Sequence, residues 1–356
     1  MKNSTKSHPE HSRFLFTVIV IQTLLAACTP QPTGPQTLTV MVHDSFSVSE
    51  KIVSGFNQAN NANLVLLKSG DAGVMLSKAI LSKQAPLADV LYGVDNTFLS
   101  RALEAGIFES YASPALEDVP DEFGLDESHG AVPIDFGDVC INYDKAYFLE
   151  HGLKVPDSLE ALVEPEYKGL LVVENPNTSS PGLAFMLATR AHFGEGWLTF
   201  WQSLRENEVV IANDWESAYY TNFSGSSGHG LQPMVVSYAT SPAAEFIFAD
   251  PPVDESPTAS ILGQDTCFRQ IEFAGILKGT QQRALAEKFL DYMLSVDFQE
   301  DMPMQMFVFP VNPEANLPEA FLKYAEQATD PARIPAEEIA ANRDQWLDDW
   351  SEVMLR

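Results

Sequence analysis

Positive charge is scarce in this 356-residue chain: 21 Lys and Arg stand against 49 Asp and Glu, for a formal charge of −28. Such a balance repels a phosphate backbone and sets nucleic acid aside as a partner. It favours a cationic ligand only weakly, because most of the charge must be solvated surface, and adaptation to a salty habitat accounts for it equally. Catalytic signatures are missing too. No G-x-S-x-G string places a nucleophile on a strand-to-helix turn, and the nearest stretch, Ser224 to Gly230, reads as a flexible loop. There is no P-loop and no G-x-G-x-x-G. The three cysteines form no C-x-x-C and no His/Cys set with zinc spacing. The chain therefore reads as a non-enzyme that needs no cofactor.

Long apolar runs are equally rare. Phe14 to Ala27 follows a basic lead-in of Lys2, Lys6 and Arg13. It is too short for a permanent membrane span and has the three-part form of a secretory signal. It ends Leu25-Ala26-Ala27-Cys28, which resembles the bacterial lipobox, where the cysteine is lipidated and becomes the new N-terminus. An ordinary cleavable signal is the alternative. Residues 1–28 thus read as a lipoprotein signal with Cys28 as the lipidation point. Residues 29–37, rich in Pro, Thr and Gln, read as a tether. The body is expected outside the cytoplasm, anchored by lipid to the outer face of the cell membrane or periplasmic. With Cys28 so assigned, Cys140 and Cys267 remain. In an exported protein that pair suggests one disulfide, provided the two Cα atoms come within bridging range; two separate buried thiols are the other reading.

The body is large for a single core, and chains of its size usually split into two lobes. Short β-runs at 38–42, 63–67 and 88–93 alternate with amphipathic helical segments, which argues for an open α/β sheet. Ligands of such sheets bind beyond the carboxyl ends of the strands. The polar loops His43-Asp44-Ser45, Ser69 to Gly73, Val94-Asp95-Asn96, Asn175 to Gly182, Asn213-Asp214-Trp215 and Ala239-Thr240-Ser241 all fall there. Ser179 and Ser180 sit where helix-terminal amides would point at a ligand. Trp215, Tyr219, Tyr220 and Tyr238 lie in or beside loops; an aromatic next to a carboxylate suits a flat cation by stacking and cation–π attraction, and core packing is the competing reading for each. Trp197 and Trp201, four apart on a helix, read as packing residues. Adjacent Tyr219 and Tyr220 admit a second ligand class, ferric iron held by phenolates with His43 or Asp44 completing the site.

Six segments together carry a family resemblance: Val42-His43-Asp44-Ser45-Phe46, Ala88 to Asn96, Pro133-Ile134-Asp135-Phe136-Gly137, Thr178 to Leu183, Asp214 to Tyr219, and Val236 to Pro242. In their order and spacing the chain resembles the periplasmic thiamine-binding proteins of ABC importers, from about 38 to 351. The resemblance implies a type II periplasmic-binding fold of two α/β lobes, joined by crossing strands and closing on a ligand. Lobe 1 is expected at 38–133 plus 276–356 and lobe 2 at 134–275. It implies a thiamine-class small molecule as ligand, an ABC permease as partner and a monomer. Asp44, Asp71 or Asp135 would offset the ligand charge, Trp215 and Tyr219 would stack on its rings, and Ser179, Ser180, Thr240 and Ser241 would hydrogen-bond it. Ala72, Gly73, Tyr238, Ala239 and Phe307 complete the implied site. The chain departs from the family pattern at His43 (usually Tyr), Ala72 (usually Asp, with Asp71 one position earlier), Phe307 (usually Trp), Phe309 (usually Tyr) and Tyr220 (usually small). Thiamine phosphates, a thiamine precursor or a related pyrimidine cation therefore stay open as ligands.

Overall fold

A computed structural model describes residues 1–3, 34–227 and 229–356. Cys28, most of the signal segment and most of the tether lie outside the described residues. Eleven strands form one curled sheet: β1 (Gln36–Val42), β2 (Ala62–Lys68), β3 (Val90–Asp95), β4 (Phe108–Glu109), β5 (Val132–Asp144), β6 (Leu171–Glu174), β7 (Val210–Ala212), β8 (Met234–Tyr238), β9 (Thr258–Ile261), β10 (Phe268–Leu277) and β11 (Phe309–Pro310). The main path runs β2-β1-β3-β10-β5-β8-β6-β7. β1 pairs in parallel with β2 and β3, and β6 with β7 and β8, as strand–helix–strand alternation requires.

Local chemistry sets the helices against this sheet. Ser49, in an extended conformation, caps the helix Glu50–Asn60, whose Ile52 and Phe56 are buried. Phe56 meets the ring of Phe289 edge-on at 5.1 Å, and burying a side chain of this kind contributes about 1.5–3 kcal/mol. Asp71 caps the helix Ala72–Leu81, accepting from the Ala72 amide at 2.7 Å. Trp201 is fully buried and meets Trp350 edge-on, the packing role that its helical spacing predicts.

Two long strands dominate the centre. β5 runs for 13 residues and β10 for 10. β5 pairs with β10 through its first half and with β8 and β9 through its second; these are the crossing strands of a two-lobed fold. Pro133 lies inside β5. A proline cannot donate to the ladder, and the β5–β10 register shifts beside it, between Glu272 and Phe273. Lower on the same pair, Arg269 makes a two-point contact with buried Asp138, both bonds 2.9 Å. Cys140 and Cys267 are joined by a disulfide, because adjacent antiparallel strands bring their Cα atoms to 4.3 Å.

The bridge closes a loop of 127 residues. Replacing both cysteines with alanine is expected to lower stability by about 2–4 kcal/mol through the freed unfolded chain, read as an earlier midpoint in urea unfolding.

Candidate functional site

The segments that follow β1, β6 and β7 and the carboxyl end of β8 converge on one cavity, with the turn after β2, Glu272 of β10 and the segment 305–308 completing it. Together with the solvent space into which it opens, it measures about 800 Å³. Trp215, Tyr220, Tyr238 and Phe307 form aromatic walls, and Asp71, His43 and Glu272 present polar atoms. Among the described residues no Lys or Arg lines it.

Trp215 is held from several sides. Its indole N–H donates to Ser237 Oγ at 2.9 Å, and its amide donates to Asp71 Oδ2 at 3.1 Å. One ring face lies against Tyr219, with centroids 5.0 Å apart and an interplanar angle of 18°. Only the other face is left for a ligand. The rigid mount comes from Asp214, which accepts from the Ser217 amide at 2.7 Å and starts a π-helical turn over Ser217–Asn222. Tyr238 accepts at its hydroxyl from Gln270 Nε2 at 3.0 Å. Phe307 has φ +54, a left-handed conformation that a bulky residue adopts only under constraint; the Thr240 hydroxyl donates to its carbonyl.

Beneath the cavity is a dense set of buried acids. Tyr92 donates to Asp135 Oδ2 at 2.5 Å and also lies 3.0 Å from Glu272 Oε2. Burial pushes both carboxyls up; the neighbouring Asp135 raises Glu272 further, whereas hydrogen bonds with Tyr92 and Glu272 hold Asp135 partly down. Burial takes Asp95 up to about 6 against the opposing hydrogen bonds from Thr97. Burial also lowers His43 to about 4, so its ring is neutral at ordinary pH. His43 fits only because residue 93 is glycine: at φ +98, a Cβ there would lie 2.4 Å from His43 Cδ2.

Of the residues expected at the site, Asp71, Ala72, Ser180, Trp215, Tyr219, Tyr238 and Phe307 line this cavity, as do His43 and Tyr220. The others do not. Asp44 is exposed in an outer pocket with Asp214 and Glu216, its carboxylate accepting from the Gly70 amide at 2.8 Å. Asp135 is fully buried behind Tyr92. Ala239 packs among Cys140, Cys267 and Ala328. Ser241 shares a hydrogen bond with Ser237, 2.9 Å apart, and Thr240 serves Phe307. Tyr219 backs Trp215 rather than offering a free face.

Gly73 and Ser179 belong to a seam across the cleft. The Gly73 amide donates to the Thr178 carbonyl at 3.1 Å and the Ser180 hydroxyl donates to Asp95, while the Ser179 hydroxyl is buried without a hydrogen-bond partner. With the Trp215-to-Asp71 bond, these contacts hold the cleft closed. Ser45 and Pro181 line the cavity from two of the expected polar loops, whereas Ala244, Gln305, Met306, Val308 and Glu272 line it without having been expected there. Glu272 alone carried a signal, as an acid inside the apolar return strand Ile271 to Leu277.

The iron reading asks Tyr219 and Tyr220 to ionise. Burial and then Glu245 push both phenols upward instead, Tyr219 well above its ordinary value. The shift adds to the cost of forming phenolates there.

Two lobes bridged by long central strands, with a cavity between them at the strand ends, define a type II periplasmic binding fold. The profile described as "Bacterial extracellular solute-binding protein" matches residues 85–335. The chain is 30% identical over 339 residues to the thiamine-binding periplasmic protein of Escherichia coli (strain K12), a match covering 94% of this chain and 98% of that one. It is 29% identical to the protein of that name from Brucella suis biovar 1, covering 92% and 95%. A solved structure titled "Periplasmic thiamin binding protein" superposes with a TM-score of 0.79 at 28% identity, covering 90% of this chain and 97% of the other. The chain belongs to the bacterial extracellular solute-binding protein family.

A Cβ at residue 73 would sit 2.9 Å from the carbonyl oxygens of both Asn177 and Thr178. Backbone atoms cannot yield as a side-chain end can, and overpacking of this kind costs about 1–3 kcal/mol. Gly73→Ala is therefore expected to prise the seam apart, seen as a larger radius of gyration in small-angle X-ray scattering with little change in helix content.

Proposed function

We propose that this protein captures thiamine in the cavity between its lobes and delivers it to an ABC permease, without covalent chemistry. The observation that carries this reading is the pairing of aromatic walls with buried carboxylates in a cavity that no Lys or Arg lines among the described residues. A flat heteroaromatic cation satisfies both halves: its rings match Trp215 and Tyr238, and its fixed charge compensates acids that otherwise lie unpaired. The ligand printed in the relatives' names supports the same choice. Unphosphorylated thiamine is favoured over its phosphates, since Asp44, Asp71, Asp214 and Glu216 line the adjoining outer pocket and would repel a phosphate.

The cycle is reversible: the lobes open, take up the solute, and close by a hinge motion on β5 and β10. The lobes are read as 38–133 with 276–356 and 134–275; the change of pairing partner along β5 at Val139 supports a crossover within that strand. A lipid anchor at Cys28 would keep the protein, acting as a monomer, beside its permease outside the cytoplasm. Its net charge speaks against nucleic acid as a partner.

Isothermal titration of the protein with thiamine tests the reading. One-to-one binding at micromolar strength or tighter, about −8 kcal/mol, is the expected result. No heat and no thermal shift with thiamine would end it and make ferric iron the next ligand to try, with a coloured phenolate complex as its sign. Trp215→Ala removes one stacking face and is expected to weaken thiamine binding by roughly 10- to 100-fold, on the order of 1–3 kcal/mol; unchanged affinity would sink the stacking role.

A further inference from the structure

The central strands carry two contrasting polar pairs. At Asp138 and Arg269 the charges match. Higher up, toward the cavity, they do not. Glu272 on β10 is the direct cross-strand partner of Asp135 on β5 and of Asp95 on β3. Three buried carboxyl groups therefore stand in one row across three adjacent strands. Like charges directly opposite destabilise a sheet, and burial multiplies the cost. Among the described residues no Lys or Arg pairs with any of the three; the row's one basic neighbour is His43, whose Nε2 is 3.6 Å from Glu272 Oε1.

Only the middle member of the row reaches the cavity: Glu272 lines it, and Asp95 and Asp135 do not. Two further atoms are left unsatisfied around it. His43 Nε2 is buried at the cavity wall without a hydrogen-bond partner, and Asp135 Oδ1 is buried without one beside Glu272. Ionised carboxylates only accept hydrogen bonds. A proton held between Asp135 and Glu272 supplies the missing donor and removes the repulsion.

We infer that Glu272 recognises the fixed positive charge of the ligand, and that the entering cation takes the place of the proton this row holds, so that capture releases a proton to solvent. This rests on the thiamine reading for the identity of the cation. Charge balances: one proton leaves the Asp135–Glu272 pair as one cationic charge enters beside Glu272. The groups facing Glu272 are His43 from the end of β1, Tyr92 and Asp95 from β3, Asp135 from β5 and Tyr238 from β8. His43 stays neutral above about pH 5 because burial depresses it to about 4. Both tyrosines are pushed up by burial and stay protonated. The change therefore falls on the carboxyl row. Because the folded row binds its proton more tightly without ligand than with it, affinity rises with pH where the row titrates, by at most about tenfold per pH unit for one proton.

The test is titration calorimetry of the full chain with thiamine at pH 6.5 in two buffers of different ionisation heat, repeated on Glu272→Gln. Wild type is expected to release on the order of one proton per thiamine, and the variant to bind at least tenfold more weakly with no dependence on buffer. Thiamine binding with equal heats in both buffers would overturn the inference and leave the thiamine reading standing. Absence of any thiamine binding would overturn both. Glu272→Gln that binds as tightly as wild type, with an unchanged thermal unfolding midpoint, would remove Glu272 from charge recognition; the two-buffer comparison on wild type stands without the variant.

Discussion

The pairing of β5 with β10 is the constraint on which the rest of this molecule depends. It joins the two sides of the sheet, places the disulfide between Cys140 and Cys267, and sets the matched ion pair Asp138–Arg269 at one level. One level higher, the same register forces Asp135 opposite Glu272. A hinge and a charge problem are thus built from the same two strands. Register permits no compromise here, since a slip of one residue would turn every side chain to the opposite face.

That charge problem gives the cavity its character. Buried carboxyls cost several kcal/mol each unless they are paired or protonated, and this protein spends Tyr92, Thr97 and Ser180 on hydrogen bonds to them without supplying a cation. An unpaired site of this kind is expensive for folding, and in the proposed reading a cationic ligand would bring the missing charge. The aromatic walls then decide which cation fits. Trp215, fixed by Ser237, Asp71 and Tyr219, presents a preset face, so little freedom is lost when a ring stacks on it.

Much of the fold was legible in the residues. The strands at β1, β2, β3, β6 and β8 and the helices between them follow from apolar periodicity and from caps such as Ser49 and Asp71. The candidate site was legible in part, because polar loops at strand ends mark where ligands lie in an open sheet; Asp71, Ser180, Trp215 and Tyr238, which line the cavity, stand in or beside such loops. The same rule placed Asp44, Thr240 and Ser241 at the right ends of strands but could not say where their side chains turn. Asp44 turns outward to Gly70, and Thr240 turns to the Phe307 carbonyl. Of the segment Gln305 to Val308 only Phe307 was indicated, by the family resemblance; its neighbours gave no signal, because the segment reaches the cavity through the left-handed turn at Phe307 rather than at a strand end.

The residues by themselves determined the class of architecture, the loops that could meet a ligand and the family, since each depends on local pattern and order along the chain. Only the tertiary structure decided that Tyr219 supports Trp215, that Gly73 and Ser180 close the cleft, and that Glu272 is the acid facing the cavity. Those facts depend on strand register and on contacts between residues far apart in sequence. Glu272 and Asp135 are separated by more than a third of the chain, and no local pattern carries that distance.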